Sequence, residues 1–319
     1  MTCVLVTGVN GFIGSAVARH LLTLKNEVLG IDLRDEPAAF PKGTPGYRFI
    51  KADITDRRTL PEELKKAEAV VHCAALVHQA SRNASRADFI RVNCEGVTNI
   101  LNSLSSERLR HIIFLSTVCI YGALSQGTIP DETTKPEPED FYGESKVIAE
   151  KIVVEFSART GVPYTILRLT PVYGPDFVMN IRKRVILPGG IAFYRLSSKD
   201  PVLSICSVMN VTHLIGQMLA HRDFFQESYI VKDEKDYPIR EIISVFRDVW
   251  PQKRKPTVLI PSVFSISAVR LLKISSPRRG RLLGYKINKI MEDAVYSGNK
   301  LKRQGVSMPW NLKNTLKKL

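Results

Sequence analysis

The sequence predicts an α/β fold, a doubly wound parallel sheet followed by a smaller C-terminal mixed α/β lobe. Three observations carry that prediction. An apolar strand runs into a glycine turn and then a helix over residues 4–24. A second strand ends in a carboxylate, Asp32. Strand-like and helix-like segments then alternate to about residue 170, the order that places helices on both faces of a parallel sheet.

The first element is Val4-Leu-Val-Thr7, a buried strand, followed by Gly8, Gly11 and Gly14 at intervals of three and by a helix over Ser15–Leu24. Strand, tight turn and helix is the context a Rossmann-type phosphate-binding turn requires. Gly8 would permit the turn, Gly11 would let a pyrophosphate approach bare backbone, and Gly14 would let the helix pack close to the strand. The helix N-terminus then offers amides and a partial positive charge. Three glycines also fit an ordinary βα turn, so the second strand matters. Glu27–Asp32 ends in a carboxylate 18 residues after Gly14, where the adenosine ribose hydroxyls of a dinucleotide are bound. A carboxylate there repels a 2′-phosphate, which favours NAD. Arg34 would accept that phosphate and keeps NADP as the alternative.

The remaining elements follow in order. A Pro-rich loop over Arg34–Tyr47 leads to a third strand, Arg48–Asp53, and a helix over Thr55–Ala67. Ala69–Ala75 is a fourth strand ending in small residues, low enough for a flat cofactor to lie over. A long helix over Ala87–Leu104 carries Asn93. His111–Thr117 is a fifth strand, Phe141–Thr160 a helix closed by Gly161 and Pro163, and Tyr164–Leu169 a sixth strand. Residues 1–170 are expected to form the dinucleotide-binding domain and 171–319 a substrate lobe with parts interleaved with the first domain. There is no internal repeat.

Length and composition fit a globular protein: 319 residues, 44% hydrophobic and 24% charged. Five scattered cysteines, Cys3, Cys73, Cys94, Cys119 and Cys206, lack metal-ligand spacing. They read as reduced, buried thiols in a cytoplasmic protein with no metal. No signal peptide is expected, and no apolar run reaches the roughly 20 residues of a membrane span. The net charge of +15 admits nucleic acid, a polyanionic small substrate or a membrane surface. No nucleic-acid motif accompanies it. The cations crowd into residues 251–319, and 261–283 pairs an apolar stripe (Val263, Phe264, Ile266, Val269, Leu271, Leu272) with Lys273, Arg278, Arg279 and Arg281. That stretch fits peripheral membrane contact, or a core-facing helix followed by a solvated basic loop.

Tyr142 and Lys146 stand four apart in the helix beginning at Phe141, hence on one face. A tyrosine with a pKa near ~10 is a poor base at neutral pH, and a neighbouring ammonium lowers that pKa. Such a pair takes a proton from a hydroxyl while hydride leaves the same carbon. A surface pair is the plainer reading. Thr117, at the carboxyl end of the fifth strand where ligands bind in such sheets, adds a hydroxyl for the same substrate oxygen.

Together these motifs resemble the extended short-chain dehydrogenase/reductases, in the branch of NAD-dependent nucleotide-sugar epimerases and dehydratases. The resemblance rests on Thr7-Gly-Val-Asn-Gly-Phe-Ile-Gly14, Asp53-Ile-Thr, His72-Cys-Ala-Ala75, Asn93–Asn99, Ser116–Gly122, Tyr142-Gly-Glu-Ser-Lys146 and Arg168–Pro175. It implies that Gly8, Asn10, Gly11, Phe12, Ile13, Gly14, Asp32 and Arg34 bind the cofactor. It also implies that Asp53 and Ile54 flank the adenine, that Ala74 and Ala75 line the cofactor, and that Asn93 is largely structural. Tyr142 is then the acid/base, Lys146 holds the nicotinamide ribose and lowers the Tyr142 pKa, and Thr117 orients the sugar hydroxyl. Asn180 matches an asparagine that touches the nucleotide diphosphate.

Two departures stand out. Where family dehydratases carry Asp-Glu after the catalytic threonine, this chain has Val118 and Cys119, which disfavours a 4,6-dehydratase. Leu203 stands where relatives begin a strand (here Val202–Val208) with a diphosphate-binding arginine, leaving Arg195, Arg182 or Arg278 as substitutes. The expected function is a nucleotide-sugar epimerase that removes and returns hydride at C4. The alternatives are a nucleotide-4-keto-sugar reductase, a lipid or sterol dehydrogenase and an NAD(P)-sensing protein. By the same resemblance the chain is expected to be a homodimer.

Overall fold

The computed structural model describes residues 1–36, 40, 43–77, 84–123, 127–187, 190–196, 200–250, 255–260 and 293–317. The amphipathic basic stretch 261–283, with Arg278, lies outside them.

Seven parallel strands form one sheet. They are β1 (Cys3–Thr7), β2 (Glu27–Asp32), β3 (Tyr47–Lys51), β4 (Ala69–His72), β5 (His111–Thr117), β6 (Tyr164–Leu169) and β11 (Glu227–Val231). Their order is β3-β2-β1-β4-β5-β6-β11, and every pairing is parallel. The central strands β1, β4 and β5 are buried almost throughout because both faces of the sheet are covered there, whereas β3 at one edge mixes buried and exposed residues. Side chains alternate between two cores, as a period of two requires. Val4, Val6, Val71, Ile113 and Leu167 pack under α1 (Phe12–Thr23) and α6 (Val208–Ala220). Leu5, Val70, Ile112, Phe114 and Ile166 pack under α3 (Gly96–Asn102) and α4 (Phe141–Thr160). The strand order reverses between β1 and β4, and such a switch point opens a crevice at the carboxyl ends of its strands.

Three expected elements differ. The helix over 55–67 is instead two short 3-10 turns, Arg57–Thr59 and Glu62–Lys66. Pro61 lacks an amide and forces Leu60 into extended backbone (φ −86°, ψ 113°). The long helix from Ala87 is α2 (Arg86–Ile90), a π turn (Arg91–Glu95) and then α3. The expected strand over 202–208 breaks into β9 (Val202–Leu203) and β10 (Cys206–Ser207), in different sheets, and Ser207 then caps α6 through the Met209 amide. β11 was not anticipated, because its run sits in a region of short, mixed elements.

The lobe has its own small core. Tyr173, Ile181, Phe193, Leu203, Tyr237, Ile242, Phe246, Leu312 and Leu316 pack together. They come from β7 (Val172–Tyr173), α5 (Met179–Val185), β8 (Phe193–Leu196), β9, β12 (Tyr237–Pro238), α7 (Ile239–Val249) and the last helix of the described residues, Leu312–Leu316. Asp233 is its polar centre, accepting from Tyr173 Oη (2.5 Å), Tyr237 Oη (3.0 Å), Ser207 N (2.7 Å) and Asn210 Nδ2 (2.7 Å).

Candidate active site

Glycine is required in the β1–α1 turn by contact distances. A Cβ on Gly14 would lie 2.2 Å from the Gly8 carbonyl oxygen, and one on Gly8, whose φ is +70°, would lie 2.9 Å from Ala74 Cα. Thr7 joins the two strands at the switch point. Its hydroxyl accepts from the Cys73 and Ala74 amides at 3.1 and 3.0 Å and lies 3.2 Å from His72 Nδ1.

At the end of β2 the Asp32 carboxylate accepts from the Asn10 amide (2.9 Å) and the Arg34 amide (3.0 Å). The Arg34 guanidinium reaches the same carboxylate at 3.4 Å. The two residues that argue for different cofactors are therefore one ion pair. Asp53, beyond β3, is held by the Thr55 amide and hydroxyl, both at 2.8 Å. Ile54 is buried against Gly96, where a Cβ would lie 2.7 Å from its Cδ1.

A cleft of about 410 Å³ opens above the carboxyl ends of the strands. It brings together Gly8, Gly11, Phe12, Ile13, Gly14, Ala75, Thr117, Tyr142 and Asn180. Asn10, Asp32, Arg34, Asp53, Ile54, Ala74, Asn93 and Lys146 are not part of its lining. Phe177, which the sequence did not single out, stacks on Phe12 with ring centroids 4.6 Å apart and joins the lobe to the glycine turn.

Helix α4 starts at an Asp140 cap that accepts from the Gly143 amide at 2.8 Å. Its first turn lies against backbone, because a Cβ on Gly143 would be 2.8 Å from the Cys119 carbonyl oxygen. That approach puts Tyr142 beside the residues that follow β5. The Tyr142 phenol hydrogen-bonds Thr117, whose hydroxyl also accepts from the Cys119 amide at 3.1 Å. Asn93, in the π turn, clamps the floor. Its Oδ1 accepts from Leu76 N (2.7 Å), and its Nδ2 donates to Leu76 O (3.0 Å) and Ser145 Oγ (2.9 Å).

The electrostatics correct one expectation. Burial pushes the Tyr142 phenol well above its ordinary pKa, Cys119 and Asp140 add to the rise, and the bond to Thr117 opposes it. Lys146 is buried one turn on, with Nζ 4.4 Å above the Phe114 ring. Burial lowers its pKa to about 8, against the opposing pull of Glu150, Cys73 and Cys94. The ammonium acts on those groups, so burial and not Lys146 sets the phenol in this structure. His72, alongside, is pushed down to about 3 by burial first and Lys146 second.

The cleft suits a dinucleotide. The turn is closed to side chains by contact distance and so leaves room for phosphate against its backbone, and Asp32, at the end of β2, is an acceptor of the kind ribose hydroxyls require. The site also contains residues the sequence reading missed or left without a role, Thr7, Glu150 and Arg168. Thr7 was visible as the polar end of an apolar strand. The Glu150–Arg168 contact joins residues 18 apart and had no local signal.

A family model described as "NAD dependent epimerase/dehydratase family" matches residues 4–224. The UDP-glucose 4-epimerase of Vibrio cholerae is 28% identical over 81% of this chain and 78% of its own length. The N-acetyl-alpha-D-glucosaminyl-diphospho-ditrans,octacis-undecaprenol 4-epimerase of Escherichia coli O157:H7 is 23% identical over 98% of this chain and 92% of its own. A probable dTDP-glucose 4,6-dehydratase of Sinorhizobium fredii is 30% identical over 54% of each chain. Among solved structures, the UDP-glucuronic acid 4-epimerase of Bacillus cereus in complex with NAD superposes with a TM-score of 0.74 at 19% identity, covering 99% of this chain and 96% of that one. With that family model matched from β1 through α6 onto a glycine turn, a carboxylate-ended second strand and a cleft lined by Thr117 and Tyr142, the chain belongs to the NAD-dependent epimerase/dehydratase family.

Proposed function

We propose that the protein is a nucleotide-sugar 4-epimerase. The observation that carries this is the hydrogen-bonded Thr117–Tyr142 pair in the same cleft as the glycine turn. NAD, when bound, would accept the hydride and bring a positive charge that favours the phenolate. The chain's own residues do the rest. Gly8, Gly11 and Gly14 leave backbone bare for the diphosphate, and Asp32 accepts from ribose hydroxyls. Asp53 and Ile54 flank the adenine, and Lys146 donates to the nicotinamide ribose. Thr117 orients the sugar hydroxyl, while Tyr142 removes its proton and later returns it to the same oxygen, once the keto sugar has turned over and taken the hydride back on the other face of C4. Val118 and Cys119 carry no carboxylate for water elimination, which supports epimerisation over 4,6-dehydration.

The substrate's diphosphate needs a cation. Leu203 is 4% exposed in the lobe core, paired with Tyr237, so its position offers no ligand. Arg182 and Lys255 come together instead. A Cβ built on Gly190 would lie 3.0 Å from Arg182 Nη2 and 3.4 Å from Lys255 Nζ. These two are the diphosphate ligands we favour, with Asn180 two residues before Arg182 in α5.

A second reading is favoured by the near full-length match to a lipid-diphosphate sugar epimerase together with the charge of +15. In it the diphosphate belongs to a polyprenol and the basic lobe meets an anionic membrane.

The test is to denature the purified protein, assay released nucleotide, and then measure turnover of UDP-hexoses without added cofactor. Tightly held NAD and cofactor-free turnover are expected. Empty protein that works only with stoichiometric NAD(P)H and a 4-keto sugar would make it a reductase. Activity confined to polyprenol-linked sugar in vesicles would establish the second reading.

A further inference from the structure

Lys146 and Glu150 are one helical turn apart on α4 and so face the same way. Both are buried. No ion pair within 4.0 Å links them, and Glu150 is held elsewhere. Its Oε1 accepts from Ser116 Oγ (2.5 Å) and Arg168 Nε (3.2 Å), and its Oε2 accepts from Arg168 Nη2 (2.8 Å). Arg168 is fixed in turn by Nη1 bonds to Tyr121 Oη (2.9 Å) and the Glu132 carbonyl (3.0 Å).

Buried ion pairs seldom add net stability, because both partners lose water. This one therefore calls for another explanation, and its neighbour supplies it. A buried ammonium with no counter-charge sheds its proton. One locked to a carboxylate stays charged but has its donors engaged. We propose that Glu150 is a positioning residue for Lys146, a counter-charge pinned by Arg168 and Ser116 so that it keeps the ammonium protonated without capturing it. The inference rests on the reading that Lys146 donates to a cofactor ribose.

The other groups around Lys146 do not supply this charge. From the end of β4 come His72, kept neutral by burial, and Cys73, a thiol raised to about 12. From the π turn comes Cys94, raised to about 11. From β5 comes the Phe114 ring. Glu150 is the foremost charge opposing the effect of burial on Lys146. Its own surroundings are Arg168 from β6, Ser116 from β5 and Tyr121 from the turn after β5, whose phenol is raised to about 12.

The two halves of the device make opposite predictions, which a merely structural brace would not. The measurement is NADH affinity by fluorescence titration from pH 6 to 10 on the full chain. In the wild type, affinity should fall as pH rises through the Lys146 pKa. Glu150→Gln leaves Lys146 and Arg168 as uncompensated like charges, so the fall should move down by on the order of one to two pH units. Arg168→Met frees Glu150 to swing onto the ammonium. The fall should then move up by about one unit, with several-fold weaker binding at pH 7. Ser116→Ala removes one donor and should shift the fall slightly upward, which keeps the test available should Glu150→Gln not fold. Shifts in the same direction, or none, overturn the proposal. A Lys146→Met profile identical to wild type would overturn the ribose role itself, and absence of NADH binding would remove the functional reading with it.

Discussion

The glycine-turn side of the cleft and the lobe side differ in what fixes their shape. On the first side the determinants are backbone distances. Gly14 and Gly8 admit no Cβ, and one threonine hydroxyl binds β1 to the turn after β4. On the lobe side the scaffold, among the described residues, is three two-stranded sheets around a small core with Asp233 at its polar centre, and the diphosphate ligands we propose, Arg182 and Lys255, are side chains. A backbone-built site tolerates little substitution and is the same in any chain that folds this way. A side-chain site on a small core can be re-specified residue by residue. This difference accounts for Leu203 belonging to the hydrophobic core at a position where the family resemblance leads one to expect a phosphate ligand.

Three substitutions would break or sharpen the comparison. The largest effect is expected on the rigid side. Tyr142→Phe removes one oxygen from the Thr117 pair and should lower turnover by roughly 10³-fold, within the range of general acid–base catalysis, while NADH binding changes less than threefold. Retention of a tenth of the activity would remove Tyr142 from the chemistry. Next comes Leu203→Arg, which puts a cation where the family resemblance leads one to expect a diphosphate-binding arginine. Because the position is buried, it should cost about 3 kcal/mol in urea-monitored stability without improving UDP affinity. Tighter UDP binding at undiminished stability would mean that the lobe opens to ligand at this strand. The smallest effect is on cofactor choice. Asp32→Ala deletes a charged acceptor and should weaken NAD about tenfold, in line with hydrogen bonds to charged groups. It also frees Arg34, so NADP should bind as well as before or better. A wild type that already prefers NADP would show that Arg34 outweighs its partner.

Much of the first side was legible because its signals are local. Gly8, Gly11 and Gly14 are spaced along one turn, Asp32 ends its strand, and Tyr142 and Lys146 share a helix face four residues apart. The lobe was not, and the reasons are physical. β7, β9, β10 and β12 have two residues each, too few to show a period. Leu203 could be recognised as a departure from a pattern, yet only burial shows that it is core. The low-lying Lys146 was readable as a position, but its environment was not. Glu150 is visible as the next residue on the same face, whereas Ser116 and Arg168 reach it from separate strands. The rise in the Tyr142 pKa likewise comes from enclosure by the β5 turn, which no spacing records.

The chain's route has a consequence for modularity. After leaving the sheet at β6 it builds part of the lobe and then returns as α6, which covers the face shared with α1. It returns again as β11, which pairs along the outer edge of β6. It then goes back to the lobe for α7. The dinucleotide-binding half is thus not a contiguous cassette. A cut at residue 170 would strip one edge strand from the sheet and uncover Val17, Ala18 and Leu21. Inheritance of a new lobe by this fold must therefore splice around residues 208–231, so specificity diversifies by substitution and loop change in place more readily than by exchange of whole segments.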